Sequence, residues 1–330
     1  MAKRVSTSKA LNNALDRAMA FDERVFCIGE DIGIMGGTFG VTAGLLDKYG
    51  EKRVIDTPIS EAMFMGAAVG AAARGLVPVV EIMFSDFVTY CFDQVVNQAA
   101  KMRYMYGGNI EMPIVIRMPG GGSVQSAAQH SQSLEGLFGH IPGLKIVMPS
   151  SPSDARGLLL SSITDRNPVM FFETKSLYAK VEKLEEEYDP IPLGTASVKR
   201  EGGDVTIVAT GPCVLKAMNA ASALAEEGIE AEVIDPRTLY PLDTKTIFGS
   251  VEKTGRLLIV TEECKRGAWS AELSAEVAEK QFVALKAPIA RVGALNTPVP
   301  LAKQLEDYYL PQTENIVDGV KSILKESVIK

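Results

Sequence analysis

The glutamate at position 61 is the first candidate for chemistry. It follows the apolar run 53–56, which ends at Asp56, and a helical pattern begins at Glu61 and continues to Gly75. In a parallel α/β sheet, ligands bind beyond the carboxyl ends of the strands, so Glu61 would lie where a ligand binds. The alternative is that its charge only complements the positive end of the helix, which contributes about 0.3–1 kcal/mol.

Aromatic side chains follow a second apolar run. After VPVVEIM (77–83) come Phe84, Phe87, Tyr90 and Phe92. Aromatic residues just beyond a strand can form a platform on which a planar ring stacks. Because the same spacing is typical of ordinary core packing, the residues alone leave both interpretations open.

Acid–base chemistry by histidine would have to use one of two residues, because the chain contains only His130 and His140. His130 lies among short polar residues in a loop that begins with the glycines at 120–122, a setting that suits an acid–base residue. A structural histidine is the alternative. The triple glycine is not a P-loop, since no Gly-Lys-Ser/Thr follows it. His140 immediately precedes Ile-Pro-Gly and is predicted to be structural.

The composition excludes several classes of protein. The 330 residues are 46% hydrophobic and carry a net charge of −7, which favours a globular protein with no basic field for nucleic acid. Apolar runs end at charged residues well short of ~18 positions, so no membrane span is predicted. The charged N-terminus has no apolar signal core, which predicts a cytoplasmic protein. The spacing of the four cysteines matches no metal site and predicts free thiols.

Short Val- and Ile-rich runs alternate with helical patterns along the whole chain. The predicted strands are 24–29, 53–56, 77–83, 113–118, 145–148, 168–172, 204–211, 229–235, 256–263 and 288–293. The predicted helices are 9–20, 61–75, 86–106, 153–164, 213–227, 244–253, 269–282 and 314–325, and the segment 236–243 is predicted to be a turn. Ser60 and Ser153 are the predicted caps of their helices. This alternation predicts parallel sheets covered by helices.

Charged residues, Pro and Gly interrupt the alternation between residues 179 and 203. Such a composition is typical of a connection between domains. The sequence therefore predicts an α/β protein of two domains, 1–185 and 204–330, joined by a linker over 186–203. A long surface loop within one domain is the alternative.

Taken together, several motifs resemble one family. They are DTPISEA (56–62), FDQVVNQAAKMRYMYGG (92–108), AAQHSQSLEG (127–136), PGLKIVMPS (142–150) and DPRTLYPLD (235–243). They are similar to the β subunit of the E1 component of thiamine-diphosphate-dependent 2-oxo acid dehydrogenase complexes, and the resemblance covers nearly the whole chain. Within that family, MFSDF (83–87), the 92–108 motif and the segments TPVP (297–300) and LEDYYLP (305–311) are most similar to acetoin dehydrogenase β subunits, with pyruvate dehydrogenase close behind.

The resemblance implies a fold of two parallel-sheet, three-layer α/β domains, a thiamine-diphosphate pyrimidine-binding domain followed by a transketolase C-terminal-like domain. It also implies roles for individual residues. Glu61 matches the glutamate that hydrogen-bonds N1′ of the aminopyrimidine, and Ile59 and Phe87 match residues that pack on that ring. His130 matches a histidine linked to transfer of the acyl group to lipoamide. Tyr90 stands where some pyruvate enzymes have glutamine, so no contact is assigned to it.

Two metals follow from the resemblance. A potassium site in some β subunits matches Ile114, Ser162, Ile163, Asp165 and Asn167. Enzymes of this kind hold the cofactor diphosphate through Mg²⁺, using a Gly-Asp-Gly segment, which this sequence lacks. We therefore expect an E1 α subunit to supply the Mg²⁺ site, in an α2β2 heterotetramer.

The family also implies a second partner, the E2 lipoyl acyltransferase, which carries a small basic docking domain. Acidic residues of the second half are the candidate contacts for that domain, because complementary charge speeds encounter. These candidates are Glu262, Glu263, Glu306, Asp307 and Asp318.

Three alternatives remain open from the sequence. The substrate could be pyruvate or a branched-chain 2-oxo acid rather than acetoin, because the α subunit would form much of the pocket. The chain could instead be a detached half of a transketolase or deoxyxylulose-phosphate synthase. It could also be a non-catalytic scaffold subunit, against which the presence of Glu61 and His130 argues.

Overall fold

The computed structural model describes residues 2–325. These residues form two compact units. The first unit takes the residues up to Gly120 and then Phe138–Leu193, and the second takes Gly121–Leu137 and the residues from Gly194 onward. The division differs from the predicted boundaries in one place that matters for function. The segment 121–137, which includes His130, groups with the second unit.

The first unit contains a parallel sheet of six strands and a separate antiparallel pair of strands. Its elements in chain order are β1 (Lys3–Ser6), α1 (Thr7–Phe21), β2 (Val25–Gly29), α2 (Leu45–Tyr49), β3 (Val54–Asp56), α3 (Glu61–Ala73), β4 (Val77–Glu81), α4 (Ala100–Met105), β5 (Val115–Gly120), α5 (Glu135–Gly139), β6 (Lys145–Val147), α6 (Pro152–Ile163), β7 (Val169–Thr174) and β8 (Val181–Leu184). The chain re-enters this unit within α5. The order of the strands in the parallel sheet is β6-β7-β5-β4-β2-β3, and β1 pairs with β8.

Both faces of this sheet are covered. Alternate residues of a strand point to opposite faces, and Val25, Cys27 and Val79 join the cluster built on α1 and α6. The intervening residues, such as Val80, are fully buried on the other side, where α3 packs on β4. Strands buried on both faces need apolar residues at every position, which is why they appear in the sequence as continuous Val- and Ile-rich runs.

The second unit has a five-stranded sheet covered by helices. Its elements in chain order are β9 (Ser197–Arg200), β10 (Val205–Ala209), α7 (Cys213–Glu226), β11 (Ala231–Asp235), β12 (Thr238–Tyr240), α8 (Thr244–Thr254), β13 (Leu257–Cys264), α9 (Trp269–Lys280), β14 (Ala290–Ala294), α10 (Lys303–Tyr309) and α11 (Thr313–Lys325). The strand order in the sheet is β14-β13-β10-β11-β9, in which only β9 is antiparallel to its neighbour.

Helices cover this sheet on both sides as well. Ile207 packs into the cluster formed with α7 and α11, whereas its neighbour Thr206 shares hydrogen bonds with Ser250 (2.6 Å) and Thr254 (2.8 Å) of α8. Each unit is therefore a three-layer α/β structure, as predicted.

Several local predictions were wrong. The helix predicted over 86–106 is broken into a 3₁₀ segment (Ser85–Cys91), a π-helical segment (Gln94–Ala99) and α4. The predicted turn 236–243 includes the strand β12, and the predicted linker includes β9. The cap of α6 is Ser151 rather than Ser153. Ser60 is the N-cap residue of α3, as predicted, but its side chain makes no capping bond.

The described cysteines carry free thiols, three of them buried and Cys264 partly exposed. Across residues 2–325, no helix is both long and apolar enough to cross a bilayer.

Candidate functional site

Glu61 begins α3 just beyond the carboxyl end of β3. Its side chain is only 7% exposed, and it lies close to the thiol of Cys91, whose pKa is raised to about 12 by burial and then by the charge of Glu61. The Cys91 segment packs against α3. A carboxylate that is this buried, at the strand end where α/β proteins bind ligands, is more than a surface charge at a helix end.

A second carboxylate lies beside Glu61 and was missed by the sequence analysis. Glu30 follows β2, the neighbour of β3 in the sheet, and accepts a hydrogen bond from the N–H of Ser60. Burial raises the pKa of Glu30, and the charge of Glu61 raises it further. Its buried Oε1 atom has no hydrogen-bond partner within residues 2–325. The signal was present in Gly29-Glu30-Asp31, a polar pair directly after a buried strand.

Apolar side chains flank the carboxylates. Ile59, two residues before Glu61, is 84% exposed. The 3₁₀ segment after β4 carries Phe87, whose ring meets Phe84 edge-on at 5.8 Å and lies 6.3 Å from the ring of Tyr90. Because this segment packs against α3, the structure brings the predicted pair Phe87 and Glu61 to neighbouring elements.

A buried ion network supports the strands that lead into this site. Arg117 on β5 donates to Glu81 on β4 (2.7 Å) and forks onto both oxygens of Glu173 on β7 (2.7 and 2.8 Å). The hydroxyl of Tyr178 also donates to Glu173 (2.5 Å). Burial raises the pKa of Glu81, and Arg117 offsets part of that rise. Bidentate geometry ties three adjacent strands together at a fixed spacing.

His130 belongs to the second unit and is half-buried. The residue that follows it, Ser131, is buried. His140 is exposed and belongs to the first unit.

The residues matched to a potassium site lie around the turn between α6 and β7. The Ile114 carbonyl accepts from the Val169 N–H (2.9 Å). The carboxylate of Asp165 accepts from Lys145 and from the backbone and side-chain N–H groups of Asn167 (both 2.9 Å). With its side chains so engaged, this turn would offer an ion mainly carbonyl oxygens. Within residues 2–325 there is no group of three or more His, Cys, Asp or Glu side chains placed to hold a metal.

Three of the five predicted docking residues do not lie on the surface. Glu262, Glu263 and Glu306 are 3%, 8% and 1% exposed. They therefore cannot serve as surface contacts for a basic domain. Of the five, only Asp307 and Asp318 are exposed, and Asp307 pairs with Lys303 at 2.6 Å.

Comparison with known proteins gives consistent results across the chain. Residues 3–180 match the model "Transketolase, pyrimidine binding domain", and residues 194–316 match "Transketolase, C-terminal domain". The acetoin:2,6-dichlorophenolindophenol oxidoreductase subunits beta of Bacillus subtilis and Cupriavidus necator are 50% and 48% identical; the first covers 100% of both chains, the second 98% of this chain and 99% of the relative. The pyruvate dehydrogenase E1 component subunit beta of Acholeplasma laidlawii is 44% identical over 97% of this chain and 98% of its own length.

A solved structure agrees with the fold. The protein titled "Split gene transketolase, inactive beta4 tetramer" superposes with a TM-score of 0.82 at 22% identity, and the match covers 98% of this chain and 99% of the other. At that identity the likeness concerns the fold alone.

The two matched domains define a transketolase-type protein, which confirms the predicted fold class. With relatives of up to 50% identity along its length, the chain belongs to the family of E1 β subunits of the thiamine-diphosphate-dependent acetoin and 2-oxo acid dehydrogenases.

The first unit fits the pyrimidine of that cofactor. An aminopyrimidine needs a carboxylate at one ring nitrogen and apolar groups against its faces. Glu61 would supply the carboxylate, and Ile59 and Phe87 would supply the apolar groups. Glu30, whose buried Oε1 has no hydrogen-bond partner among residues 2–325, would offer a further polar group beside Glu61.

Proposed function

We propose that this chain is the β subunit of an acetoin dehydrogenase E1 component. With an α subunit it would cleave acetoin and pass the acetyl unit to lipoamide on E2. The higher identity to acetoin enzymes (50%) than to a pyruvate enzyme (44%) supports acetoin as the substrate. The observation that carries the proposal is the buried carboxylate of Glu61 at the carboxyl end of β3.

Glu61 would accept a hydrogen bond at N1′ of the aminopyrimidine and hold the proton there. When bound, thiamine diphosphate supplies a carbon nucleophile and an electron sink for the substrate carbonyl. Burial matters for the role of Glu61, because a shielded carboxylate controls a ring proton more strongly than a solvated one. Ile59 and Phe87 would exclude water and fix the plane of the ring.

His130 would act later, as an acid–base residue in transfer of the acetyl unit to lipoamide. His130 is half-buried in a polar loop, and an imidazole suits this task because it can both accept and donate a proton.

The α subunit would hold the Mg²⁺ and the cofactor diphosphate in an α2β2 heterotetramer. The missing Gly-Asp-Gly segment and the "subunit beta" names of the relatives support this division. Potassium at the Ile114 and Asp165 turn, E2 docking near Asp307 and Asp318, and a cytoplasmic location stay predictions.

Pyruvate is the second candidate substrate, because a pyruvate dehydrogenase subunit is 44% identical over 97% of the chain. A substrate screen of the reconstituted complex, with acetoin, pyruvate and branched-chain 2-oxo acids, separates the candidates. Turnover of sugar phosphates without E2 would instead indicate a transketolase-type half.

The test of the proposed function is Glu61→Gln in the complex with α. The amide is nearly isosteric, so we expect the complex to assemble, while activity falls roughly 10²–10⁴-fold because the proton partner of N1′ is lost. The matched control is Glu314→Gln, an exposed glutamate that also lies in the first turn of its helix. Turnover near wild type in the Glu61 variant would refute the assignment and leave Glu61 as a helix-end charge.

A further inference from the structure

The loop that carries His130, residues 121–137, begins in an unusual backbone conformation. Ser123, Gln125 and Ala127 have φ angles of +73°, +56° and +57°. None of them is glycine, so each left-handed residue is sterically unfavourable. Such a conformation persists only where surrounding contacts determine it.

The holding group is the carboxylate of Glu306. One oxygen accepts from the N–H of Ser123 (3.0 Å) and the other accepts from the N–H of Gln125 (3.1 Å). Left-handed residues in alternation turn backbone N–H groups toward one side and create a concave site for an anion. In this protein the anion is a side chain of α10 that is 1% exposed, so water competes little for the two bonds.

Other contacts close the same loop. Gly121 donates to the Gln132 carbonyl (3.2 Å) across its base. Gly122 packs closely against the side chain of Leu310, the residue that follows α10: a Cβ added at Gly122 would lie 2.9 Å from that side chain. At the far end, the N–H of Gly136 donates to Glu263 (2.7 Å), whose other oxygen accepts from Trp269 (2.9 Å). His130 lies between the two carboxylate-held ends.

We propose that Glu306 is a positioning residue that fixes the His130 loop for acyl transfer. This inference rests on the proposed function of His130. Glu306 acts through the backbone of the loop and needs no contact with substrate. Its carboxylate is specifically required, because both oxygens must accept, and an amide offers one acceptor and turns N–H donors toward the second N–H.

The experiment compares Glu306→Gln with Glu279→Gln in the complex with α. The two variants carry the same substitution and lie in the same unit, but Glu279 is an exposed residue of α9. Two activities are measured: reduction of an artificial dye, which bypasses lipoamide, and acetyl transfer to the lipoyl domain of E2. We expect Glu306→Gln to lower transfer about tenfold or more, with dye reduction within twofold of wild type, and Glu279→Gln to change neither. Equal loss of both activities would overturn the proposal.

Two readouts separate positioning from general structural damage. Amide exchange of residues 121–137 in the assembled complex should accelerate in Glu306→Gln and not in Glu279→Gln; unchanged exchange in Glu306→Gln overturns the proposal. The double variant Glu306→Gln with His130→Ala should transfer no more slowly than His130→Ala alone, whereas additive losses would overturn an action through His130. If Glu306→Gln does not assemble, Glu306→Asp, which keeps the charge but is one methylene shorter, takes its place with the same expectations.

The control His130→Ala also distinguishes this proposal from the proposed function. Transfer at the wild-type rate in that variant would refute the role of His130. The exchange measurement would then still decide whether Glu306 holds the loop.

Discussion

Glu263 is a buried carboxylate whose two oxygens accept from backbone N–H groups of Gly136 and Trp269. Burial nevertheless raises its pKa to about 7, and those hydrogen bonds offset only part of the effect. Glu135 lies nearby, and its pKa is raised well above the usual range by burial and then by the charges of Glu263 and Glu262. Carboxyl groups so close together resist ionising at the same time.

These pKa values predict that stability falls as pH rises. Between about pH 4.5 and 7 the folded chain binds a proton at Glu263 that the unfolded chain has released, so rising pH favours unfolding by on the order of 1–3 kcal/mol. The thermal unfolding midpoint should therefore drop over this interval. The Glu263→Gln variant has no carboxyl group to titrate at this position. Its thermal unfolding midpoint should therefore fall less steeply with pH, and the decline that remains should be the contribution of Glu135. Glu276→Gln, at the surface pair with Lys280, is the control; an identical slope in wild type and Glu263→Gln would contradict the prediction.

At the scale of elements, α3 has an exposed face that carries small residues. A Cβ at Gly70 would meet no other atom within 4 Å, and the helix is rich in Ala and Gly throughout. Small residues let a second helix approach closely, so we expect this face to lie against another subunit in the heterotetramer.

Gly70→Leu tests this expectation. The chain itself has room for the new side chain, and replacing a helical glycine adds up to about 1 kcal/mol of helix propensity, so the isolated chain should remain as stable as wild type or become slightly more so. Assembly with α should weaken markedly because the leucine fills the contact. Gly249→Leu on α8, equally unobstructed, should leave assembly intact. Both are measured by co-purification and by the mass of the complex in solution. Wild-type assembly of the Gly70 variant would place α3 outside the interface.

For the whole molecule, the proposed function has the chain supply the pyrimidine side of the active site and the His130 loop. The chain lacks the segment that would hold the diphosphate through Mg²⁺.

We therefore expect the chain alone neither to bind thiamine diphosphate tightly nor to turn over substrate. Calorimetric titration of the isolated chain with cofactor and Mg²⁺ should show no binding tighter than about millimolar, and addition of the α subunit should restore both tight binding and activity. Micromolar affinity together with measurable turnover in the absence of α would contradict this division of the site.

The layered architecture can be predicted from the sequence alone, because fully buried strands require uninterrupted apolar runs and amphipathic helices require a repeat of about 3.6 residues. The start of a helix at Glu61, just beyond the end of a strand, can be predicted from the sequence as well. Both features are local in the chain. The broken helix over 86–106 is different: its composition is helical, but packing of the 85–91 segment against α3 imposes a 3₁₀ and π path.

The roles of the charged residues depend on the tertiary structure. The sequence predicted Glu262, Glu263 and Glu306 to be surface charges. In the fold they are buried, and the bond from Ser123 to Glu306 joins residues 183 positions apart. Glu30 and the Arg117 network were missed for the same reason. The partners of Glu30 lie at the start of α3, and those of Arg117 lie on the neighbouring strands β4 and β7. Whether a charged side chain is buried depends on hydrogen-bond and ion-pair partners that are distant in the sequence. The spacing of charges along the chain does not show which of these residues come into contact.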